Sequence, residues 1–145
     1  MIIYGILYLL LIYFIWIGYA CQEGYNEAIY WSKLINNNGT PSNEHLKWTI
    51  WRSITLILGF ISTFSILSIW LSLLFALSLI LIFPFWHDGF YYLKRNKLDN
   101  CYPKGFRDFS KTSTSWLDKL KLTIFPLRVF YLILSLIMLL YIFIN

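Results

Sequence analysis

The run Ser53–Trp86, SITLILGFISTFSILSIWLSLLFALSLILIFPFW, contains 34 residues and no charged side chain. As one continuous helix it would measure about 51 Å, at about 1.5 Å per residue. The hydrocarbon core of a bilayer is about 30 Å thick and takes about 20 apolar residues. Ordinary tilt does not absorb the excess. The run is therefore expected to fold back on itself as a tight helical hairpin. Trp and Tyr collect at membrane interfaces, and Trp70 sits midway along the run, amid Ser65, Ser68 and Ser72. Trp16, Trp48, Trp51, Trp86 and Trp116 all lie near the ends of apolar runs. A turn near Trp70 places that ring at the far interface. One arm then starts near Asn43 and the other ends near Tyr92. A second pattern competes with this one. Ser65, Ser68, Ser72 and Ala76 fall at i, i+3, i+7 and i+11, a stripe of small residues that would suit close packing along an unbroken helix, and no Gly or Pro marks the turn.

On either side of this run, Met1–Ala20 carries no charge, and the stretch from Lys121 to Asn145 is interrupted by Arg128 near its start. Of the 145 residues, 59% are hydrophobic, 21% aromatic and 13% charged, with a mean hydropathy of +0.62. Ordinary soluble domains carry about 25% charged residues. Half that share leaves too little polar surface to face water, which excludes an aqueous globular domain, disorder, coiled coil and collagen. The expected fold is an all-α integral membrane protein: one transmembrane domain over 1–145, a four-helix bundle with a central helical hairpin. Its spans are expected near 1–21, 44–68, 70–93 and 119–144, with polar loops 22–43 and 94–118 on one side. Three spans are the alternative. The N-terminus lacks a basic region and a small-x-small cleavage site, so it reads as a retained span. Tyr19 argues against lipidation at Cys21.

Every Lys and Arg lies between Lys33 and Arg128. The second loop region holds Lys94, Arg95, Lys97, Lys104, Arg107, Lys111 and Lys119 against Asp88, Asp99, Asp108 and Asp118. Such an excess in a short loop stays cytoplasmic. Both loops are therefore expected inside and both termini outside, in the cytoplasmic (inner) membrane of a cell. The net charge of +5, interleaved with Phe90, Tyr91, Tyr92, Tyr102, Phe106 and Phe109, suits a segment lying against anionic lipid head groups. No nucleic-acid fold accompanies it. Asn36–Pro41 reads as a loop, its Asn38-Gly39-Thr40 sequon as a plain turn, and Ser42 or Asn43 as the cap of the next helix. Ser115-Trp116-Leu117-Asp118 resembles a capping box opening the last helix, and Pro84 and Pro126 should kink their spans.

In the four-span arrangement the polar helix ends meet at one membrane face. Glu23 and Glu27 come from the first helix, Glu44, His45 and Arg52 from the second, His87, Asp88, Tyr91 and Arg95 from the third, and Asp118 and Arg128 from the fourth. Charges so close to hydrocarbon are normally paired or face a cavity, with Glu27 and Asp88 as candidate partners for Arg52 and Arg128. Three uses of this layer compete: structural pairing, a metal site built from Glu27, His45, His87 and Asp88, or an anion or lipid site built from Arg52, Arg95 and Arg128. The metal pattern is weak, because the two His are 42 residues apart with no His-x-x-His or Glu-x-x-His pair. Thr112–Ser115 reads as loop and cap. Cys21 and Cys101 lack Cys-x-x-Cys spacing, which excludes thioredoxin and zinc-ribbon chemistry.

No ionisable residue occupies the middle of a span, which disfavours a midplane coupling site such as ion-driven transporters carry. The chain lacks the embedded Glu of small multidrug transporters and the Cys-x-x-Cys of quinone-linked thiol oxidoreductases. Asn43-Glu44-His45-Leu46-Lys47 does not match the Glu-Arg pair and following Asn of membrane glutathione transferases. The leading expectation is a non-enzymatic membrane protein that acts by assembly, as a pore-forming component, a homo-oligomer or the membrane subunit of a complex, with no cofactor. Ser65, Ser68, Ser72 and Ala76 would be its packing stripe. The alternative is an enzyme acting on a lipid or other amphiphile at the cytoplasmic interface through Glu27, His45, His87 and Asp88. A third reading is an anchor that binds a partner through 94–120.

Overall fold

A computed structural model describes residues 3–36, 44–100, 102–109 and 116–145, apart from the side chains of 35, 36, 44–46, 116 and 117. The caps expected at Ser42 and Asn43, the sequon, Cys101 and the Thr112–Ser115 run lie outside the described residues. Within them the chain is all-helical: α1 (Ile3–Asn36), α2 (Glu44–Thr63), α3 (Ile69–Leu98), a 3-10 turn at Gly105–Arg107, a short α4 (Trp116–Lys119) and α5 (Phe125–Ile144). Three helices, α1, α3 and α5, are long and apolar enough to cross a membrane. The chain is a membrane protein built as a helical bundle.

The long apolar run breaks between Thr63 and Ile69, and hydroxyls rather than Gly or Pro line the break. Ser62 and Thr63 donate to the Gly59 and Phe60 carbonyls, each at 2.7 Å, and Ser65 donates to Ser62 at 3.3 Å. Such bonds occupy carbonyls that a helix end otherwise leaves orphaned. Ser68 takes extended backbone and its side chain accepts from the Leu71 N–H, which caps α3. The turn thus comes a few residues before Trp70, which stands exposed in the first turn of α3. Ser65 and Ser68 are exposed in the break, whereas Ser72 is buried and Ala76 half-buried on α3. These four residues do not share a helix, so they form no continuous stripe.

Pairings along the helices give their directions. Trp16 of α1 donates to the Leu79 carbonyl of α3 at 2.7 Å, and Lys94 of α3 donates to the Tyr25 hydroxyl at 2.8 Å, so α1 and α3 run parallel. Ser135 of α5 donates to the Ser78 carbonyl, and Arg128 stacks over Tyr92, so α5 is antiparallel to α3. Arg52 of α2 meets Glu23, and a Cβ on Gly59 would sit 4.0 Å from Ile12, so α2 is antiparallel to α1. The polar ends of all four long helices therefore lie together.

Tyr13, Ser78 and Ser135 mark a common level. Tyr13 Oη is 2.7 Å from Ser135 Oγ, which itself donates to the Ser78 carbonyl at 2.7 Å. Because a hydroxyl has one proton, Tyr13 is the donor in the first bond. From this level Ile3, Ile69 and Ile144 lie ten, nine and nine residues away along α1, α3 and α5. At about 1.5 Å per residue each distance is about 14 Å, half of a roughly 30 Å hydrocarbon core. The hydroxyl chain thus lies about half a hydrocarbon thickness from the start of α3 at Ile69. Trp16, near the end of an apolar run in sequence, is core: it is buried against Tyr19 and Phe83, with ring centroids 5.4 Å away in each case.

Two helix bounds differ from expectation. α1 continues to Asn36, through most of the segment expected as the polar loop 22–43, and Glu23 and Glu27 lie on it as the i, i+4 spacing suggests. The last helix starts at Phe125, after a separate turn in which Lys121 takes a positive φ of 57° and Asp118 accepts from the Thr123 hydroxyl. The Trp116–Lys119 segment is thus a helical turn of its own, and Pro126 falls in the first turn of α5, where a missing N–H costs nothing. Pro84 lies inside α3 and leaves the Ile80 carbonyl without its helical donor.

Candidate functional site: a buried carboxylate–imidazole layer

The site begins with a glycine. A Cβ on Gly24 would lie 2.1 Å from the His87 carbonyl oxygen, so α1 approaches α3 this closely because position 24 has no side chain. This contact brings Glu23 and Glu27, one helical turn apart on α1, against His87 and Asp88 on α3. His87 is buried and both its ring nitrogens face carboxylates. Nδ1 lies 2.8 Å from Asp88 Oδ1, and Nε2 lies 3.0 Å from Glu27 Oε2 and 3.9 Å from Glu23 Oε1. Since an ionised carboxylate can only accept, Nδ1 donates to Asp88, which fixes the ring's orientation.

The second helix supplies the counter-charge. Arg52 pairs with Glu23, whose side chain is 3% exposed. The Arg52 guanidinium lies 4.3 Å from the centroid of Phe83, and His87 stacks on that same ring at 4.9 Å. The Trp31 indole donates to Glu27 at 3.2 Å. Glu23 Oε2 and Arg52 Nε are buried without a close partner of their own, and His87 Nε2 is held by Glu27 in an ion-pair contact at 3.0 Å. Counted from the Tyr13–Ser78–Ser135 level, Glu23 and His87 lie ten and nine residues away, about 14–15 Å. That distance is about half the thickness of a hydrocarbon core.

Glu27, His87, Asp88 and Arg52 thus converge as the sequence suggests, but the pairing differs. Arg52 takes Glu23 rather than Glu27 or Asp88, and those two flank the imidazole instead. Arg128 has neither as a direct partner: it is fully buried and donates to the Asp108 carbonyl at 2.8 Å, with Tyr92 and Phe125 rings 5.6 Å away. Arg95 is buried too, 3.5 Å from Asp99 and 4.9 Å from the Tyr102 ring. Arg95 and Arg128 therefore lie toward the chain after α3 and toward α5, whereas Arg52 lies toward α1, and the three do not converge on one anion. The Gly105–Arg107 turn is fastened on this side by Phe106, whose ring occupies the place that a Gly89 side chain would take.

Glu27 and Asp88 approach opposite nitrogens of the ring, so the three cannot close around one ion. Among the described residues no three His, Cys, Asp or Glu side chains form a metal-binding group. The His45 side chain lies outside the described residues. Cys21 is a free, half-buried thiol. Sequence reasoning listed Glu23 in the layer without its central place, and it missed Gly24 and Phe83. A glycine one residue after a helical Glu was the available signal for a close helix crossing. Compared with protein-family models, with characterised proteins and with solved structures, the chain matches none.

Proposed function

We propose that this protein is a membrane-embedded site that receives the polar head of an amphiphile at the bilayer edge and exchanges a proton with it through His87. The observation that carries the reading is the buried imidazole with a carboxylate against each nitrogen. Asp88 orients the ring through Nδ1, and Nε2, in contact with the Glu27 carboxylate, is the nitrogen that gives or takes the proton. Glu27 and Glu23 beside it stabilise the protonated ring, and Arg52 holds Glu23 in place. An intramembrane cluster of this kind is a functional site by default, because its cost is not repaid by packing. Assembly through Ser65, Ser68, Ser72 and Ala76 is the weaker reading, because the break between α2 and α3 divides that group.

The test is native mass spectrometry and lipid extraction on protein purified in mild detergent. The wild type is expected to retain an amphiphile near one per chain. His87→Gln and Glu27→Gln, with helix content unchanged, should lose most of it. Equal lipid profiles in wild type and both variants would sink the reading.

We also propose that α2 crosses the bilayer as a fourth span, with the polar ends cytoplasmic and the 64–68 turn outside. Its 20 residues measure about 30 Å, and it runs antiparallel along α1 from Arg52 to Gly59. In a background with Cys21 and Cys101 replaced by Ser, Ser65→Cys should react with an impermeant maleimide applied to intact cells. Lys47→Cys, near the other end of α2, should react after permeabilisation only. The opposite pattern overturns the orientation, and protection of both removes the fourth span.

A further inference from the structure

Between the last turn of α3 and the start of α5 the two signs of charge are sorted by depth. Among the described residues of this stretch, each charged residue that stands exposed is basic: Lys97, Lys104, Arg107, Lys119 and Lys121. The acidic residues Asp99, Asp108 and Asp118 are half-buried and engaged within the fold. Asp99 lies 3.5 Å from Arg95, Asp108 accepts from the Phe109 N–H at 2.7 Å, and Asp118 accepts from the Thr123 hydroxyl. The sequence interleaves both signs here, but the folded surface presents one. Apolar side chains stand among the exposed bases. Leu98 follows Lys97 and is 44% exposed, and Leu120, between Lys119 and Lys121, is 60% exposed. Arg107 lies 5.6 Å from the ring of Phe125, the first residue of α5, which is one of the three helices apolar enough to cross a membrane. Lys121 precedes Phe125 by four positions. A nucleic acid or an acidic protein offers anions without hydrocarbon beside them, whereas an anionic bilayer surface offers both. Each Lys or Arg near such a surface is worth about a fivefold preference.

We infer that this face gathers anionic phospholipids, with Arg107, Lys119 and Lys121 meeting their phosphates at the start of α5 while Leu120 enters the hydrocarbon. None of these residues belongs to the carboxylate–imidazole layer, so the surface and that site stand or fall separately.

The test places the full chain in nanodiscs of equal parts phosphatidylglycerol and phosphatidylcholine with the same acyl chains. Native mass spectrometry then counts the lipids that stay bound after release into mild detergent. At low ionic strength the wild type is expected to retain phosphatidylglycerol in at least about tenfold excess, and added salt should shrink that excess. Arg107→Gln, Lys119→Gln and Lys121→Gln combined should cut it at least about fivefold with helix content unchanged. Arg107→Lys, Lys119→Arg and Lys121→Arg combined should keep it. Equal retention of the two lipids by the wild type overturns the inference, as does an excess indifferent to salt or to the Gln replacements. An excess abolished by inorganic phosphate at constant ionic strength would make free phosphate the ligand. Binding of a single-stranded oligonucleotide in preference to phosphatidylglycerol, lost in the Gln variant, would make it a nucleic acid. Either result overturns the assignment to lipid.

Discussion

Gly24→Val is expected to separate α1 from α3 and to lower the stability of the bundle by about 3 kcal/mol, the upper end for overpacking a filled interior. The added Cβ would start 2.1 Å from a backbone oxygen, where ordinary contact begins at 3.4 Å, so the helices must part by about 1.3 Å. A carbonyl on a helix cannot rotate aside as a side chain can. The whole α3 backbone would have to retreat, and the carboxylate–imidazole contacts at 2.8–3.9 Å would lengthen with it. Gly18→Val supplies the control, because a Cβ there meets nothing within 4 Å. Thermal unfolding in detergent, followed by circular dichroism, compares the two. A Gly24→Val protein that melts with the wild type would show that the crossing is not as close as described.

The second large effect is an asymmetry between two partners. Arg52→Gln should destabilise more than Glu23→Gln. Glu23 is almost wholly buried, whereas a third of the Arg52 side chain is exposed. Removing the arginine leaves a carboxylate stranded at the hydrocarbon edge, and breaking a buried pair in that way costs several kcal/mol. Discounted for the exposed arginine, the expected loss is about 2 kcal/mol. Removing the glutamate frees an arginine whose long stem can carry its charge outward to water, so that variant should lose under about 1 kcal/mol. The double variant should lie close to Glu23→Gln. The reverse order would mean that Arg52, not Glu23, is the buried member of the pair.

Much of this arrangement was legible from composition and spacing. A charge-free run too long for one span had to break, and the helix ends it implied bring Glu27, Arg52, His87 and Asp88 together. The exact turn was not legible, because it is made by Ser62, Thr63, Ser65 and Ser68, residues that also occur within membrane helices. Their preference for bonding nearby backbone shows only when the partner carbonyls are known. Pairing was less legible still. Glu23 and Glu27 are equally plausible partners for Arg52 until the rotation of α1 against α2 is fixed. Nor does sequence reveal that Tyr13, Ser78 and Ser135, each within an apolar run, form one bonded chain. Gly24 and Gly89 act through what their missing side chains admit, a backbone in one case and the Phe106 ring in the other.

The unequal helix lengths give bilayer thickness a direct role. From the Tyr13–Ser78–Ser135 level toward the polar ends, α1 runs 23 residues, α3 runs 20 and α5 runs 10. The charged layer on α1 and α3 thus stands at a fixed height, about 14 Å from that level. The lipid boundary does not have a fixed height, since longer acyl chains raise it and shorter ones lower it. In a membrane of long-chain lipids Glu23 and His87 are submerged, and in one of short-chain lipids they emerge into the head groups. If His87 exchanges a proton as proposed, the fatty-acid composition of the host membrane would set the solvation of the layer and with it the ease of that transfer.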